Sequence, residues 1–226
     1  MVLLHGAGAR GRVWEPVRRR LPGHWRVATP DLPGRDGVDT PRTAAGAAAV
    51  IAATVLDPDT PAVVVGHSYG GAVAITLAMH HGHLLSRLVL VSTGARLRVH
   101  PSILAMTRAA VQQGEAARLG QLGFLPEYPE QAAAYGDVEV GGHPAAAAAD
   151  WMACDGFDHL GDIGGIEVPT AVMSGTRDVL TPPRYGRYLA DHIPGCEHHL
   201  IEDAGHMAPF ERPDAFASLL LGVSGR

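Results

Sequence analysis

Short apolar runs alternate with longer helix-forming stretches along most of this chain. The apolar runs, which we predict to be β-strands, lie at residues 2–4, 26–29, 62–65, 88–91, 170–173 and 198–201. Helices are predicted between them, at residues 13–21, 43–56, 71–81, 184–193 and 213–221. Apolar strands that alternate with helices are typical of a mainly parallel sheet covered on both faces. The pattern therefore predicts an α/β fold with a sheet of about six strands.

One interval interrupts this alternation. Between residues 94 and 165 no clear β run occurs, and Gly and Pro separate helical pieces at residues 101–113, 115–122, 129–134 and 144–154. An insertion of this length is too long for a simple connection between two strands. We therefore predict a core built from residues 1–93 and 166–226, with residues 94–165 inserted after the fourth strand as a helical cap (lid). The alternative is that these helices pack at the side of the core.

A glycine-rich turn follows the third predicted strand. Residues 66–71 read Gly-His-Ser-Tyr-Gly-Gly, and an alanine-rich apolar stretch comes next. The pattern G-x-S-x-G at a strand–turn–helix junction is typical of a nucleophile elbow, in which the serine hydroxyl projects over the sheet. Glycines at positions 66 and 70 leave room for the strand and the helix to cross closely. Ser68 is therefore the candidate nucleophile.

Two further strand ends carry side chains that could activate this serine. Asp178 lies just past the strand at 170–173, and His206 follows the last strand. In open α/β sheets reactive groups gather beyond the carboxyl ends of the strands, so His206 could take the serine proton while Asp178 orients the imidazole. The strand at 88–91 ends without an acid, which favours Asp178. Asp203 is an alternative acid, but so short a loop rarely allows the required geometry.

The first strand runs into a second glycine loop, His-Gly-Ala-Gly at residues 5–8. Acyl transfer needs two N–H groups aimed at the developing oxyanion, and we assign these donors to the backbone of Ala7 and Tyr69. His5 is expected to hold the loop. The same glycines match the dinucleotide fingerprint G-x-G-x-x-G, with Asp31 about 20 residues further on. The His5 start and the Ser, Asp and His residues favour the oxyanion interpretation.

The order Ser68, Asp178, His206 along the chain is the order of α/β-hydrolase triads, and the chain resembles that superfamily over nearly its whole length. The resemblance rests on residues 5–8, 31–34, 66–70, 175–178, 205–206 and 211–213. Within the superfamily the chain is similar to small capped serine esterases, including methylesterase and cofactor-free haloperoxidase relatives. Members usually have two strands before the His-Gly loop, which are absent here. Residues 26–29 would then form a sheet edge, and we expect a homodimer contact there or an incomplete chain start.

The resemblance implies hydrolysis of a small, mainly apolar carboxylic ester or thioester through an acyl-enzyme, with no metal and no cofactor. The same triad serves C–C bond and lactone hydrolysis, acyl transfer and cofactor-free perhydrolysis, and these alternatives stay open. Epoxide hydrolases and haloalkane dehalogenases resemble this fold but carry Asp where this chain has Ser68. A receptor that binds a small ligand without turnover is the alternative of another class.

Composition narrows the setting in which this chemistry takes place. The net charge of −5 argues against a nucleic-acid partner. No apolar run reaches the ~20 residues that span a bilayer, and the start of the chain lacks the basic region of a secretory signal. Two unpatterned cysteines, Cys154 and Cys196, favour a reducing compartment. We therefore expect a cytoplasmic protein with a small-molecule substrate.

Overall fold

A computed structural model describes residues 1–35, 40–115, 117, 119–139 and 144–224. Within these ranges five strands form one sheet: β1 Val2–Leu4, β2 Ala62–His67, β3 Leu85–Val91, β4 Thr170–Gly175 and β5 Glu197–Ile201. The strands stand in chain order across the sheet, and every neighbouring pair is parallel. The predicted α/β class with a parallel sheet is confirmed. Because all strands point the same way, their carboxyl ends lie along one edge of the sheet.

The prediction of a strand at residues 26–29, the second of the six predicted, is wrong. This segment lies beside β1, but it pairs only through an isolated parallel bridge between Val2 and Ala28. Pro30 follows and has no N–H to continue a ladder. The chain then turns toward the loop at Gly11, whose N–H donates to the Asp31 carboxylate at 2.6 Å. The homodimer contact expected at this edge stays a prediction.

Helices cover both faces of the sheet because alternate strand residues point to opposite sides. Leu88 and Leu90 of β3 join one apolar cluster, and Val89 and Val91 join the other. The core helices are α1 Glu15–Arg18, α2 Ala44–Thr54, α3 Tyr69–His81, α7 Pro183–His192, α8 Ala208–Glu211 and α9 Pro213–Ser224. The first cluster includes residues of α2 and α3, and the second includes residues of α1, α8 and α9.

Residues 94–165, called the cap segment below, contain three α-helices in the described part of the chain. These are α4 Pro101–Gln112, α5 Pro129–Glu139 and α6 Pro144–Asp155. The helix predicted at 115–122 is replaced by a 3-10 turn at Gly120–Gly123, and residues 116 and 118 lie outside the described residues. Among the residues that the structure describes, no helix combines the length and apolar character needed to cross a membrane. That the cap segment is a separate lid domain stays a prediction.

Candidate active site

The predicted elbow is a sharp turn between β2 and α3. Ser68 occupies its apex with φ 54° and ψ −118°, a backbone conformation that residues other than glycine rarely adopt. The turn is possible because a Cβ at Gly66 would overlap the Gly70 backbone, and a Cβ at Gly70 would overlap the Leu4 carbonyl. The Ser68 N–H donates to the Val91 carbonyl at 2.9 Å. The serine is therefore fixed between two strand ends and the start of a helix.

The structure brings Ser68, His206 and Asp178 into one hydrogen-bonded chain. The Nε2 atom of His206 lies 3.1 Å from Oγ of Ser68, and Nδ1 of His206 lies 3.0 Å from Oδ2 of Asp178. Ser68 follows β2, His206 follows β5 and Asp178 follows β4. The carboxyl ends of these three parallel strands lie at the same edge of the sheet. His206 is 8% exposed and Asp178 is 3% exposed. The arrangement can move a proton from the serine hydroxyl to the imidazole.

Asp178 is held by its own loop as well as by His206. Its Oδ1 accepts the N–H groups of Leu180 and Thr181 at 2.9 Å each, and its Oδ2 accepts the Thr181 hydroxyl at 2.8 Å. Burial alone would raise the pKa of this carboxyl. The charge and hydrogen bond of His206, together with the bonds from Thr181, outweigh burial and lower the pKa of Asp178 below its ordinary value. The carboxylate therefore stays ionised and only accepts hydrogen bonds.

The loop that carries His206 is fastened from two sides. The Nε2–H of His67 donates to the His206 carbonyl at 2.9 Å. The carboxylate of Glu211 accepts the N–H of Gly205, and it also accepts the N–H of Leu125 from the cap segment at 2.8 Å. Burial raises the pKa of Glu211, although these two hydrogen bonds oppose the rise. One buried carboxylate thus joins the histidine loop to the cap segment.

A second contact joins these same two parts of the chain. The hydroxyl of Tyr128, in the cap segment, donates to the carbonyl of Asp203 at 3.0 Å. Asp203 adopts a positive φ of 54° at the start of the histidine loop. Its carboxylate is not the partner of the imidazole in this structure, since Asp178 occupies that position. The geometry therefore favours Asp178 over the alternative acid.

The glycine loop at residues 5–8 lies directly against the elbow. A Cβ added at Gly6 would lie 3.4 Å from Cβ of Ser68. His5 holds the loop: its Nδ1–H donates to the Gly6 carbonyl at 2.8 Å, and its Nε2 accepts the Leu32 N–H at 2.9 Å. Burial, reinforced by the charge of Arg35, lowers the pKa of His5 to about 3. A neutral His5 thus plays the structural part expected of it.

The two assigned oxyanion donors come from the glycine loop and from the residue that directly follows Ser68. Ala7 is buried within the glycine loop. Tyr69 is the first residue of α3, where backbone N–H groups have no carbonyl partner within the helix. The partial positive charge at a helix start also favours a developing anion. These positions suit the two donors that acyl transfer requires, and their role in catalysis stays a proposal.

A cavity of about 250 Å³ opens beside Ser68 and His206. Its lining is mainly apolar, with Arg98 and His100 as the basic residues in it. The cap segment supplies much of the wall, through residues Leu97, Val99, Ile103, Leu119, Leu122, Trp151 and Cys154. Two of the cap helices, α4 and α6, therefore contribute side chains to the wall of the cavity beside Ser68.

Four residues hydrogen-bond to parts of the site, and the sequence analysis assigned none of them such a contact. Thr181 had a local signal, since a hydroxyl three residues after Asp178 suits a side-chain-stabilised turn. His67 and Glu211 were visible next to the motifs, but nothing local indicates what they bond. Asp150 gave no signal, because its partners Gly8 and Arg35 are 142 and 115 residues away in the chain.

The dinucleotide hypothesis finds no support in the geometry. Asp31, the acidic residue of the dinucleotide fingerprint, is occupied by Arg10 at 2.7 Å and by the N–H of Gly11. Within the described ranges, no group of three or more His, Cys, Asp or Glu side chains is placed to hold a metal ion. The histidines at 80, 81 and 83 therefore lie at a helix end without forming such a group.

Known proteins of related sequence show which family this chain belongs to. The sequence profile of the Alpha/beta hydrolase family matches residues 1–219. The pimeloyl-[acyl-carrier protein] methyl ester esterase of Neisseria meningitidis serogroup C is 31% identical over 234 residues, which cover 96% of this chain and 90% of that protein.

Solved structures give the same result. The enol-lactonase from Burkholderia xenovorans LB400 has a TM-score of 0.86 at 26% identity, covering 100% of this chain and 91% of that one. A thermophilic esterase has a TM-score of 0.78 at 30% identity, covering 98% of this chain and 87% of that one. This chain therefore belongs to the alpha/beta hydrolase family and is a hydrolase.

Proposed function

We propose that this protein is a serine esterase that cleaves a small, mainly apolar carboxylic ester or thioester. The observation that carries the proposal is the hydrogen-bonded chain Asp178–His206–Ser68 at the wall of an apolar cavity. A nucleophile, a base and an orienting acid in this order are the parts that acyl transfer needs. The esterases among the relatives support the same reaction class.

The reaction begins when Oγ of Ser68 attacks the ester carbonyl and its proton passes to Nε2 of His206. The N–H groups of Ala7 and Tyr69 stabilise the tetrahedral oxyanion, and Asp178 stabilises the imidazolium. Collapse of this intermediate breaks the bond to the leaving alcohol or thiol, which takes the proton from Nε2. Water, deprotonated by the same nitrogen, then attacks the acyl-enzyme, and the acid is released as Ser68 regains its proton. Loss of one oxyanion donor should cost ~3 kcal/mol, or about a hundredfold in rate.

Lactone hydrolysis is the second candidate. It needs the same nucleophile, base and oxyanion donors, because a lactone is a cyclic ester. The specific observation in its favour is the TM-score of 0.86 to an enol-lactonase. The two candidates differ in the leaving alcohol, which in a lactone stays attached to the acyl group and stays in the cavity.

The decisive experiment compares wild type with Ser68→Ala on p-nitrophenyl esters of increasing acyl length and on a matched lactone series. The proposal expects turnover by the wild type alone, and a fluorophosphonate adduct that maps to Ser68. Equal rates for the two proteins would refute the mechanism. Tight binding of esters without any burst of p-nitrophenol would instead favour a non-catalytic receptor.

We further propose a cytoplasmic location. Cys154 and Cys196 are both free thiols, and neither forms a disulfide. Unpaired thiols of this kind suit a reducing compartment. Fractionation of the native host with an antibody against the protein would test this location.

A further inference from the structure

A carboxylate from the cap segment reaches the glycine loop beside the proposed oxyanion site. Asp150 lies on α6 and is 5% exposed. Its Oδ2 accepts the N–H of Gly8 at 3.0 Å, and Gly8 directly follows Ala7. Neither residue takes part in the proton transfers proposed above. The contact therefore needs an explanation other than proton transfer.

The same carboxylate oxygen is paired with a buried guanidinium. Nη2 of Arg35 lies 2.6 Å from Oδ2 of Asp150, and Arg35 is 4% exposed. Nη1 of Arg35 donates to the carbonyls of Leu32 and Pro33 at 3.1 and 3.3 Å. The Leu32 N–H in turn donates to His5. Asp150 on α6 is thus connected to both ends of the loop at residues 5–8. It bonds Gly8 directly, and it reaches His5 through Arg35 and Leu32.

Stability alone does not account for this buried pair. Taking two charges out of water costs several kcal/mol per ion, and apolar residues of similar volume often stabilise a protein as well or better. Burial raises the pKa of Asp150, although Arg35 and the Gly8 N–H oppose the rise. The buried pair costs free energy, but it holds the short loop at residues 5–8 in one conformation. We take the fixed conformation of that loop as the reason for the pair.

The conformation of the loop at residues 5–8 decides where the proposed oxyanion donor, the Ala7 N–H, points. A backbone N–H contributes to catalysis only when it points at the oxyanion from 2.7–3.1 Å. The Ala7 peptide lies between His5, which is anchored through Leu32, and Gly8, which is anchored through Asp150. The Ala9 N–H donates to the Gly6 carbonyl at 3.2 Å and closes the loop into a turn. Within that turn, the glycines at positions 6 and 8 add no side chain that would stiffen the backbone further.

We propose that Asp150 is a positioning residue, which fixes the Ala7 N–H in its oxyanion-binding orientation by holding Gly8 from the cap segment. The inference rests on the proposed function. It does not make Asp150 catalytic, since the carboxylate touches no reacting atom. Its consequence is that the reaction centre is complete only while α6 is seated on the core.

The test compares Asp150→Ala and Asp150→Asn with wild type. Asparagine keeps an oxygen that can accept the Gly8 N–H but loses the charge that pairs with Arg35. Three quantities are measured: kcat and KM on the best p-nitrophenyl ester, the inhibition constant of a trifluoromethyl ketone of the same acyl chain, and Tm. The ketone forms a tetrahedral oxyanion on serine, so its affinity reports the oxyanion site without turnover.

We expect kcat to fall by about 100-fold in Asp150→Ala, at the lower end of the range measured for one lost oxyanion donor. The fall should be smaller in Asp150→Asn, about 10-fold, because the amide oxygen can still accept the Gly8 N–H. KM should change by less than about 3-fold, and the ketone should weaken by the same factor as kcat/KM. A fall in Tm with kcat and ketone affinity unchanged would overturn the proposal, because it would show a structural role only.

Two further variants keep the test decisive. Asp155→Asn is the matched control, since Asp155 lies on the same helix and accepts the Val99 N–H at 2.9 Å, away from the glycine loop. It should retain wild-type kcat, and an equal loss there would overturn the proposal. If Asp150→Ala does not fold, the double change Asp150→Leu with Arg35→Met replaces the buried pair by apolar groups. It should fold and still show the low kcat.

The two proposals fail in different ways. If the esterase proposal is wrong, wild type and Ser68→Ala do not differ on any ester. If only the positioning role is wrong, turnover depends on Ser68 as before, and the Asp150 variants match wild type in kcat and in ketone affinity.

Discussion

Oδ2 of Asp178 lies 3.0 Å from Nδ1 of His206, while Oδ1 of Asp178 is occupied by two backbone N–H groups. An ionised carboxylate only accepts hydrogen bonds, so Nδ1 of the neutral imidazole carries its proton. Nε2 is then left with its lone pair directed at Ser68 Oγ, 3.1 Å away. The contact between Asp178 and His206 thereby selects the tautomer that can act as a base.

Replacing Thr181 by valine should weaken this selection. The Thr181 hydroxyl donates to Oδ2 of Asp178 at 2.8 Å and lies 3.1 Å from Nδ1 of His206. Valine has a similar shape but no hydroxyl, so one bond to a buried carboxylate is lost, worth about 1.5–3 kcal/mol. We expect kcat to fall about tenfold with KM nearly unchanged, measured on the best p-nitrophenyl ester. Thr181→Ser is the control and should restore most of kcat; equal losses in both variants would contradict the role of the hydroxyl.

Removing the Ser68 hydroxyl should abolish turnover without harming the fold. Ser68→Ala is expected to lower kcat on the order of 10⁴-fold or more and to prevent fluorophosphonate labelling. Ser68→Gly should be equally inactive but more stable than the alanine variant by about 1 kcal/mol, because glycine tolerates the φ of 54°. Urea unfolding of the two inactive variants measures this difference, and identical midpoints would mean that the apex stores no backbone strain.

Glycine at position 70 should be irreplaceable for steric reasons. A Cβ there would overlap the backbone carbonyls of Leu4 and His5, which have no room to move away. We expect Gly70→Ala to lower the free energy of unfolding by more than about 3 kcal/mol. Gly222→Ala, in α9, is the matched control, since nothing lies within 4 Å of the added Cβ. That variant should be more stable than wild type by about 0.5–1 kcal/mol, and the opposite ranking in thermal unfolding would refute the steric argument.

Acid should destabilise the protein well before its carboxylates are protonated. Burial, helped by the neighbouring charge of His206, lowers the pKa of His67 to about 3, against 6.5 when the side chain is exposed. Below pH 6.5 the unfolded chain binds a proton at His67 that the folded chain refuses until about pH 3. The free energy of unfolding therefore falls as the pH drops through this window, by up to about 1.4 kcal/mol per pH unit for this one group.

The measurement is a series of urea unfolding curves from pH 6.5 to pH 4.5. His67→Asn removes the titrating group and should flatten the dependence by up to one proton. Replacement of the exposed His24 by asparagine is the control for the loss of a histidine at the surface. If wild type and His67→Asn show parallel pH dependence, His67 is not the buried neutral group that the structure indicates.

The positions of the strand ends were predictable, and so were the polar residues placed on them. Apolar runs locate β1 to β4 because a buried parallel strand must be apolar on both faces. The last strand, β5, is different, since it is buried only at Ile201. β3 begins three residues before its predicted start, because the polar residues Ser86 and Arg87 interrupt the apolar pattern at the start of the strand. The strand prediction at 26–29 is wrong for a reason that lies outside the segment. The chain turns away after it, where the Asp31 carboxylate accepts the Gly11 N–H.

The contacts between distant segments were not predictable in the same way. Asp150 bonds Gly8 and Arg35 only because α6 lies over the glycine loop, and the orientation of a helix is decided by packing rather than by its own residues. An Asp within an alanine-rich helix has the same local pattern whether it is buried or solvated. Sequence reasoning thus located the strand ends that carry Ser68, Asp178 and His206, but not the distant residues that hydrogen-bond to the loops around them.

The bonds that fasten the cap segment have a consequence for how the substrate range can change. On the catalytic side they end on the backbone of Gly8 and Asp203, and from the cap they use the backbone of Leu125. None of these bonds involves the cavity-wall side chains, among them Ile103, Leu119 and Trp151. We therefore expect that mutations of the wall, in evolution or in a directed library, can change the substrate preference while the bonds that fasten the cap segment stay in place.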